Sequence, residues 1–295
     1  MPRLARTVLL VCTVLLLLFG LSMLYSTSYA AYGETFLRKQ LEWIALGGIC
    51  AVLICWKAND AVLRKYSWWL LGGIALLLFY LAVANVLYRF EQFRPLAGRF
   101  PFVGGLSKGS ARWIRLGPLS VQPSEFAKPV IVLFLAGYLT RHARHAKSFY
   151  RGFFKPLAAV GLTTFLILAG GDLSSTVLTG TVILGTIFIG GMRLRYLVLV
   201  LVAGLVLGAA AVKISPERIS RLKSYRDPES CQQDEGYQLW NSQLALGSGG
   251  WRGLGFTDSR MKREYLPEAH TDFIVAIVGE ELGFAGVMVL TLLYV

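Results

Sequence analysis

Apolar residues in this chain come in long blocks separated by charged stretches. The blocks cover residues 8–25, 41–56, 68–87, 126–138, 157–169, 177–192, 196–212 and 273–295, the fourth and fifth being the shortest. A helix needs ~20 predominantly apolar residues to cross the hydrocarbon core of a bilayer. The pattern therefore predicts an all-α polytopic membrane protein with about eight transmembrane helices, forming one integral membrane domain over residues 1–295. Two connections are long, 88–125 and 213–272, and long ordered loops tend to carry function.

Orientation follows from the charges between blocks. With the amino terminus inside, the inner segments carry Arg3 and Arg6; Lys57, Arg64 and Lys65; Arg141, Arg144, Lys147, Arg151 and Lys155; and Arg193 and Arg195, against the single acid Asp60. That asymmetry satisfies the positive-inside rule and makes both long loops extracytoplasmic. The first block resembles a signal peptide in its basic start and in Ser28-Tyr29-Ala30. Its apolar run exceeds the ~7–15 residues of a signal core, and seven more blocks follow, so it reads as an uncleaved first helix.

Composition narrows the class further. At 55% hydrophobic and 16% charged, the 295-residue chain is too apolar for an ordinary soluble domain. Its formal charge of +13 is largely accounted for by the inner segments and the first outer loop, so nucleic acid is not implied. Cys12, Cys50 and Cys55 fall in apolar blocks and Cys231 in an outer loop, which gives no outer disulfide and no metal-ligand spacing.

The first outer loop sets Arg89, Arg94, Arg99, Lys108, Arg112 and Arg115 against Glu91 and Glu125. Such an excess of cations suits either a bound anionic headgroup or contact with acidic lipid. Residues 110–118 combine Arg112 and Arg115 with Trp113, an interfacial residue. Gln122-Pro123-Ser124-Glu125-Phe126-Ala127-Lys128 then reads as a helix start with Ser124 as the N-cap. Glu125 and Lys128, three apart, share one helical face. They form either an ion pair that fixes the helix or a lysine that reaches substrate phosphate, oriented by the glutamate.

In the second outer loop the charges balance, which argues for a folded, paired structure. Tyr237, Trp240 and Leu244 suggest a short amphipathic helix along the interface. The glycines at 247, 249, 250, 253 and 255 suggest tight turns with positive φ; no Lys-Ser or Lys-Thr follows, so a phosphate-binding loop is a poor reading. Arg260, Lys262 and Arg263 precede Glu268, His270 and Asp272. An acid at the mouth of an apolar helix is costly to desolvate, so Asp272 is the first candidate for chemistry. His270 reads as a hydrogen-bonding partner or a proton carrier. Glu280 and Glu281 lie inside the last apolar block and need partners, most simply a basic residue elsewhere in the bundle. Asp172 follows two glycines at an outer turn and reads as a turn cap.

These stretches together resemble one family: the SEDS (shape, elongation, division, sporulation) proteins of bacteria, the FtsW, RodA and SpoVE group. The resemblance is carried by Met23–Ser28, Ala111–Ile114, Gln122–Lys128, Gly236–Gln238, Ala245–Gly250, Leu266–Phe273 and Gly279–Gly283. It implies a peptidoglycan glycosyltransferase of the bacterial cytoplasmic membrane that polymerises lipid II into a nascent glycan strand at the outer face. It further implies a class B penicillin-binding transpeptidase as partner, alongside other division proteins and membrane lipids. Residues 110–118 and 260–262 resemble the division branch, which implies work at the septum.

The family's essential aspartate corresponds to Asp272, as a general base, while outer cations stabilise the departing polyprenyl pyrophosphate. Arg112, Glu125 and Lys128 become candidate substrate-binding residues, with Glu268 and His270 beside Asp272. No cofactor is demanded, although a divalent cation (Mg or Mn) could bridge pyrophosphate to an acid. Two departures stand out. The family has ten membrane helices, whereas this chain ends within the eighth apolar block, which reads as a missing carboxy-terminal part. At residues 170–175 it has Gly-Gly-Asp-Leu-Ser-Ser where the family commonly has Gln-Pro-Asp-Leu-Gly-Thr. Two other activities fit many helices and a basic outer loop: a lipid II flippase, with Glu280, Glu281 and Lys128 lining its path, and a scaffold that recruits the synthase.

Overall fold

The computed structural model describes residues 3–57, 59–104, 111–117, 119–145, 147–214, 216–232, 236–263 and 265–295. Each apolar block becomes a helix: α1 (Arg3–Tyr32), α2 (Thr35–Lys57), α3 (Asp60–Arg89), α5 (Pro123–Arg141), α6 (Lys155–Ala169), α7 (Leu173–Ile189), α8 (Leu194–Ile214) and α11 (Ile274–Tyr294). Among the described residues, five helical stretches are long and apolar enough to cross a membrane: Arg3–Ala30, Thr35–Lys57, Ala61–Arg89, Phe149–Ala169 and Ile274–Tyr294. The fourth gains its length from a π-helical turn, Phe149–Phe154, that runs into α6. Leu173–Ile189 and Leu194–Ala210 are shorter apolar helices. Helix α5 is 19 residues long and carries Glu125 and Lys128 near its start and Arg141 at its end.

The long connections fold as well. After α3 come a 3-10 turn (Glu91–Phe93), the short helix α4 (Arg94–Ala97) and three strands, β1 (Val103–Gly104), β2 (Trp113–Leu116) and β3 (Leu119–Val121). They pair antiparallel in the order β1-β2-β3, with Val103 opposite Ile114 and Arg115 opposite Ser120. This small sheet is the one addition to an otherwise helical chain among the described residues. The second connection holds α9 (Pro216–Arg226) and α10 (Tyr237–Ser248), and then a turn-rich segment leading into α11.

The chain divides into two compact units, residues 57–208 and residues 1–56 with 209–295. In the first, α3, α5, α6 and α7 bury Leu71, Ile131, Phe134, Val160, Ile167 and Ile187 against one another. In the second, α1 and α10 pack on α11 around Met23, Ala245, Ile277 and Val278. Elsewhere apolar side chains point outward. Helix α2 has no buried residue, and Ile49, Val52, Ile54 and Trp56 are exposed along it. Exposure on that scale is unfavourable in water and natural in hydrocarbon, where a helix satisfies its backbone internally and needs no polar face.

Two local expectations change. The N-cap of α5 is Gln122, not Ser124, and Pro123 occupies the first turn. Proline suits that position because the N–H it lacks would have had no helical acceptor there. Helix α10 forms where Tyr237, Trp240 and Leu244 predict it and packs on α11, but the residues it buries are Asn241, Ser242 and Ala245. Gly249 at the end of α10 and Gly279 on α11 let the two helices approach closely, while Tyr237 and Trp240 stay half-buried and Leu244 exposed.

Candidate active site

Residues 265–273 contain no regular helix or strand among the described residues; their course is set by what they bury and bond. Leu266 and Ala269 are buried in the cluster around Ile277 and hold the segment down. Between and beyond them the polar groups face outward. Thr271 Oγ1 donates to Glu268 Oε2 at 2.7 Å, and the N–H groups of Thr271 and Phe273 both donate to the Glu268 carbonyl at 3.2 Å. His270 is half-buried against two aromatic rings, 5.5 Å from Tyr32 and 4.6 Å from Phe36 between centroids.

Asp272 is exposed, directly before Phe273, the N-cap of α11. Among the described residues its carboxylate has no hydrogen-bond or ion-pair partner. A carboxylate left free by the protein is available to accept a proton from a bound hydroxyl.

Glu280 and Glu281 have the opposite environment, 1% and 0% exposed. Glu281 accepts from Ser26 Oγ at 2.7 Å on both oxygens and pairs with Lys262 Nζ at 2.7 Å. The partner expected for these acids is thus Lys262, and only for Glu281. Glu280 instead accepts from Ser259 Oγ at 2.5 Å and from the N–H groups of Arg260 at 2.8 Å and Met261 at 3.4 Å. Hydrogen bonds of this kind replace the hydration that a buried carboxylate loses.

The glycine-rich run docks on the same helix. At Gly283, α11 breaks, with φ 67° and ψ −167°. The break frees the carbonyls of Glu280 and Glu281, which accept from Leu254 N–H at 2.9 Å and Gly255 N–H at 3.1 Å. In return Phe284 N–H donates to Gly250 O at 2.9 Å and Ala285 N–H to Trp251 O at 3.3 Å. Two bonds that a continuous helix would make within itself are exchanged for bonds to the loop. Positive φ at Gly250, Gly253 and Gly255 lets the loop turn tightly enough to do this, as the glycine spacing predicts.

Arg112, Glu125 and Lys128 lie in the unit of residues 57–208, whereas Asp272, Glu268 and His270 lie in the other. Lys128 Nζ meets Glu125 Oε2 at 2.7 Å, with the lysine side chain 18% and the glutamate 53% exposed. Arg112 is half-buried and donates through Nη2 to the Gly171 carbonyl at 2.7 Å. Asp172 caps α7 as its turn position suggests, accepting from Ser175 N–H at 3.0 Å and Ser175 Oγ at 2.8 Å; it also accepts from Gln122 Nε2 at 2.9 Å. Asn85 on α3 ties the same region together, donating to Ala169 O at 2.9 Å and accepting from Ala111 N–H at 3.3 Å. Arg112 Nε and Ser124 Oγ, buried and without a partner among the described residues, border a narrow cavity also lined by Leu78, Leu81, Leu166 and Asp172.

The roles of Asn85, Gln122, Ser26, Ser259 and Lys262 escaped sequence reasoning, because each depends on a partner remote in the chain. For Asn85, Gln122 and Ser26 the available signal was polarity inside or beside an apolar block; Ser259 and Lys262, within the second loop, gave none. Among the described residues no three His, Cys, Asp or Glu side chains gather as a metal-binding group. Lys108, Ser110, Pro118, Asp234, Glu235 and Glu264 lie outside the described residues, as do the side chains of Glu217, Arg218 and Arg221.

Comparison with known proteins gives this geometry a family. The cell cycle proteins FtsW, RodA and SpoVE, taken as one family, match residues 4–295. The chain belongs to the FtsW/RodA/SpoVE family. A family member from Nitrosomonas europaea, a probable peptidoglycan glycosyltransferase FtsW, is 39% identical over 97% of this chain and 72% of its own. The FtsW protein of Legionella pneumophila, likewise a probable peptidoglycan glycosyltransferase, is 34% identical over 95% of this chain and 66% of its own. Two solved structures share the FtsW/RodA/SpoVE fold. A chain of a peptidoglycan synthase complex that coordinates polymerization and crosslinking has a TM-score of 0.67 at 24% identity, over 97% of this chain and 74% of that one. The rod shape determining protein RodA of Thermus thermophilus has a TM-score of 0.62 at 23% identity, over 97% and 70%.

Proposed function

We propose that this protein is a peptidoglycan glycosyltransferase that polymerises lipid II into glycan strands at the outer face of the bacterial cytoplasmic membrane, with Asp272 as its general base. Family membership and the names of its relatives support the activity. The observation that carries the residue assignment is the place of Asp272: it is exposed, without a partner among the described residues, at the mouth of apolar α11, whose own acids Glu280 and Glu281 are buried and hydrogen-bonded.

In the proposed step, Asp272 takes the proton of the acceptor sugar hydroxyl as its oxygen attacks the anomeric carbon of the donor. The new glycosidic C–O bond forms while the bond from that carbon to the pyrophosphate oxygen breaks, leaving negative charge on the polyprenyl pyrophosphate. Fixed cations placed where that charge develops lower the barrier. Arg260 and Arg263, exposed on the same segment as Asp272, suit this role. Arg112, Lys128, Glu125, His270 and Glu268 are proposed as substrate contacts, Lys128 toward phosphate and Glu125 orienting it.

A class B penicillin-binding transpeptidase is the proposed partner, the site of action is the division septum, and residues 1–295 act as one membrane domain. The engagement of Glu280 and Glu281 inside the protein weighs against their lining a transport path.

The test is lipid II polymerisation by purified protein with its transpeptidase, comparing wild type with Asp272→Asn and verifying by circular dichroism that both are folded. Polymer from wild type and none from the variant is the expected result. An inactive wild type, or an equally active variant, would overturn the assignment.

A further inference from the structure

The segment that bears Asp272 contains no regular helix or strand among the described residues, so buried Leu266 and Ala269 and the fastening of its two ends must hold the carboxylate in place. One end of it enters α11. The other end is gripped at residues 259–262, where Glu280 takes Ser259 Oγ and the N–H groups of Arg260 and Met261, and Glu281 takes Lys262. Lys262 also donates to Ser26 Oγ on α1 at 2.9 Å. A single ammonium therefore joins three elements: α1, the turn segment and α11.

The pair is fully internal, with side chains 5% exposed for Lys262 and 0% for Glu281. Buried ion pairs are poor stabilisers, because the cost of taking both charges out of water offsets most of their attraction. What they provide is direction, since an ammonium with oxygen acceptors at 2.7 and 2.9 Å is held in one place. Lys262 and Glu281 are 19 residues apart, and Asp272 lies between them. The ion pair closes that stretch into a ring.

We propose that Lys262 is a positioning residue for Asp272: its buried pair with Glu281 and Ser26 fixes where the carboxylate of residue 272 sits, beyond any contribution to stability. The inference rests on Asp272 being the base of the reaction. A displacement of about 1 Å at a reacting group can cost about 100-fold in rate, so loosening this ring is expected to lower kcat by about 10- to 100-fold. Substrate binding through other residues persists, so KM is expected to stay within about 2-fold.

The experiment separates position from stability. Lys262→Met alone leaves the buried Glu281 carboxylate without its counter-charge, and both thermal stability and rate should fall. Lys262→Met combined with Glu281→Leu removes both charges and should recover stability, because apolar replacement of a buried pair is close to neutral. The double variant, with its transpeptidase in detergent, is expected to melt near wild type while kcat remains at least about 10-fold down with KM little changed. Its amides at 265–273 should exchange with deuterium faster than in wild type.

Wild-type kcat in the double variant, or unchanged exchange over 265–273, would overturn the proposal. Should the double variant remain unstable, Lys262→Arg decides: rescue of kcat by a second hydrogen-bonding cation supports positioning, and wild-type-like stability with wild-type kcat in Lys262→Met refutes it. An inactive wild type would instead refute the polymerase reading and an active Asp272→Asn the base assignment on which this inference rests, and the exchange measurement judges the ring independently of either outcome.

Discussion

Substituting Gly283 by alanine tests whether the break in α11 is held by the loop docked on it. At φ 67° and ψ −167° a residue with a side chain is strained by about 1–3 kcal/mol. A Cβ there would also meet Gly253 N, Trp251 O at 2.6 Å and Arg252 N at 2.7 Å, all of them backbone and unable to swing aside. The loop must retreat, which puts four hydrogen bonds between it and α11 at risk, each contributing about 0.5–1.5 kcal/mol.

Helix α11 has an escape that the loop does not. Once straight, it can bond Phe284 N–H to Glu280 O and Ala285 N–H to Glu281 O, and alanine favours helix over glycine by about 1 kcal/mol. The loss therefore falls on residues 250–255, where about 3 kcal/mol of local stability would vanish, a factor of about 100 in the closed-to-open ratio. Hydrogen–deuterium exchange in detergent reads this directly: the Leu254 and Gly255 amides should lose protection by about 100-fold while those of 276–282 keep theirs. Unchanged protection at Leu254 and Gly255 would refute the reasoning.

Other changes probe single contacts. Asp172→Ala removes the cap of α7 and strands the Gln122 amide, so a thermal melt should show a loss of about 1–2 kcal/mol. Asn85→Ala breaks bonds to Ala169 and Ala111 together and should cost about 1–3 kcal/mol by the same measurement, more than a surface asparagine would. The half-exposed Glu125–Lys128 pair should matter little for folding, with Lys128→Ala losing less than about 1 kcal/mol. A polymerisation rate lowered more than ten-fold at that near-constant stability is the expected sign that Lys128 contacts substrate; an unchanged rate removes it from the proposed site. His270→Ala forfeits ring contacts with Tyr32 and Phe36 worth about 0.5–1.5 kcal/mol each, which a melt of the variant should register.

The membrane helices were legible because a bilayer imposes a length and an apolar composition that can be counted along the chain. Every block from 8–25 to 273–295 holds a helix, and the two long loops begin and end where charges and helix starts place them. Asp272 stood out as a candidate for a related reason, since a carboxylate beside a hydrophobic run is expensive wherever it folds. The Glu125–Lys128 pair and the Asp172 cap were legible because their partners lie three residues away.

What remained hidden required partners brought together from a distance. Glu281 meets Ser26 across 255 residues and Lys262 across 19, and nothing in either spacing distinguishes that pairing from others. Helix α10 buries Asn241, Ser242 and Ala245 while Tyr237 and Trp240 are only half-buried, a choice its own residue spacing did not reveal. Local sequence determined where helices run and which acids needed explanation, because those depend on solvation and on neighbours within a turn. Tertiary structure alone decided that Glu280 and Glu281 are consumed in holding the loop while Asp272 stays free, because only packing determines which hydrogen-bond donors reach a given carboxylate.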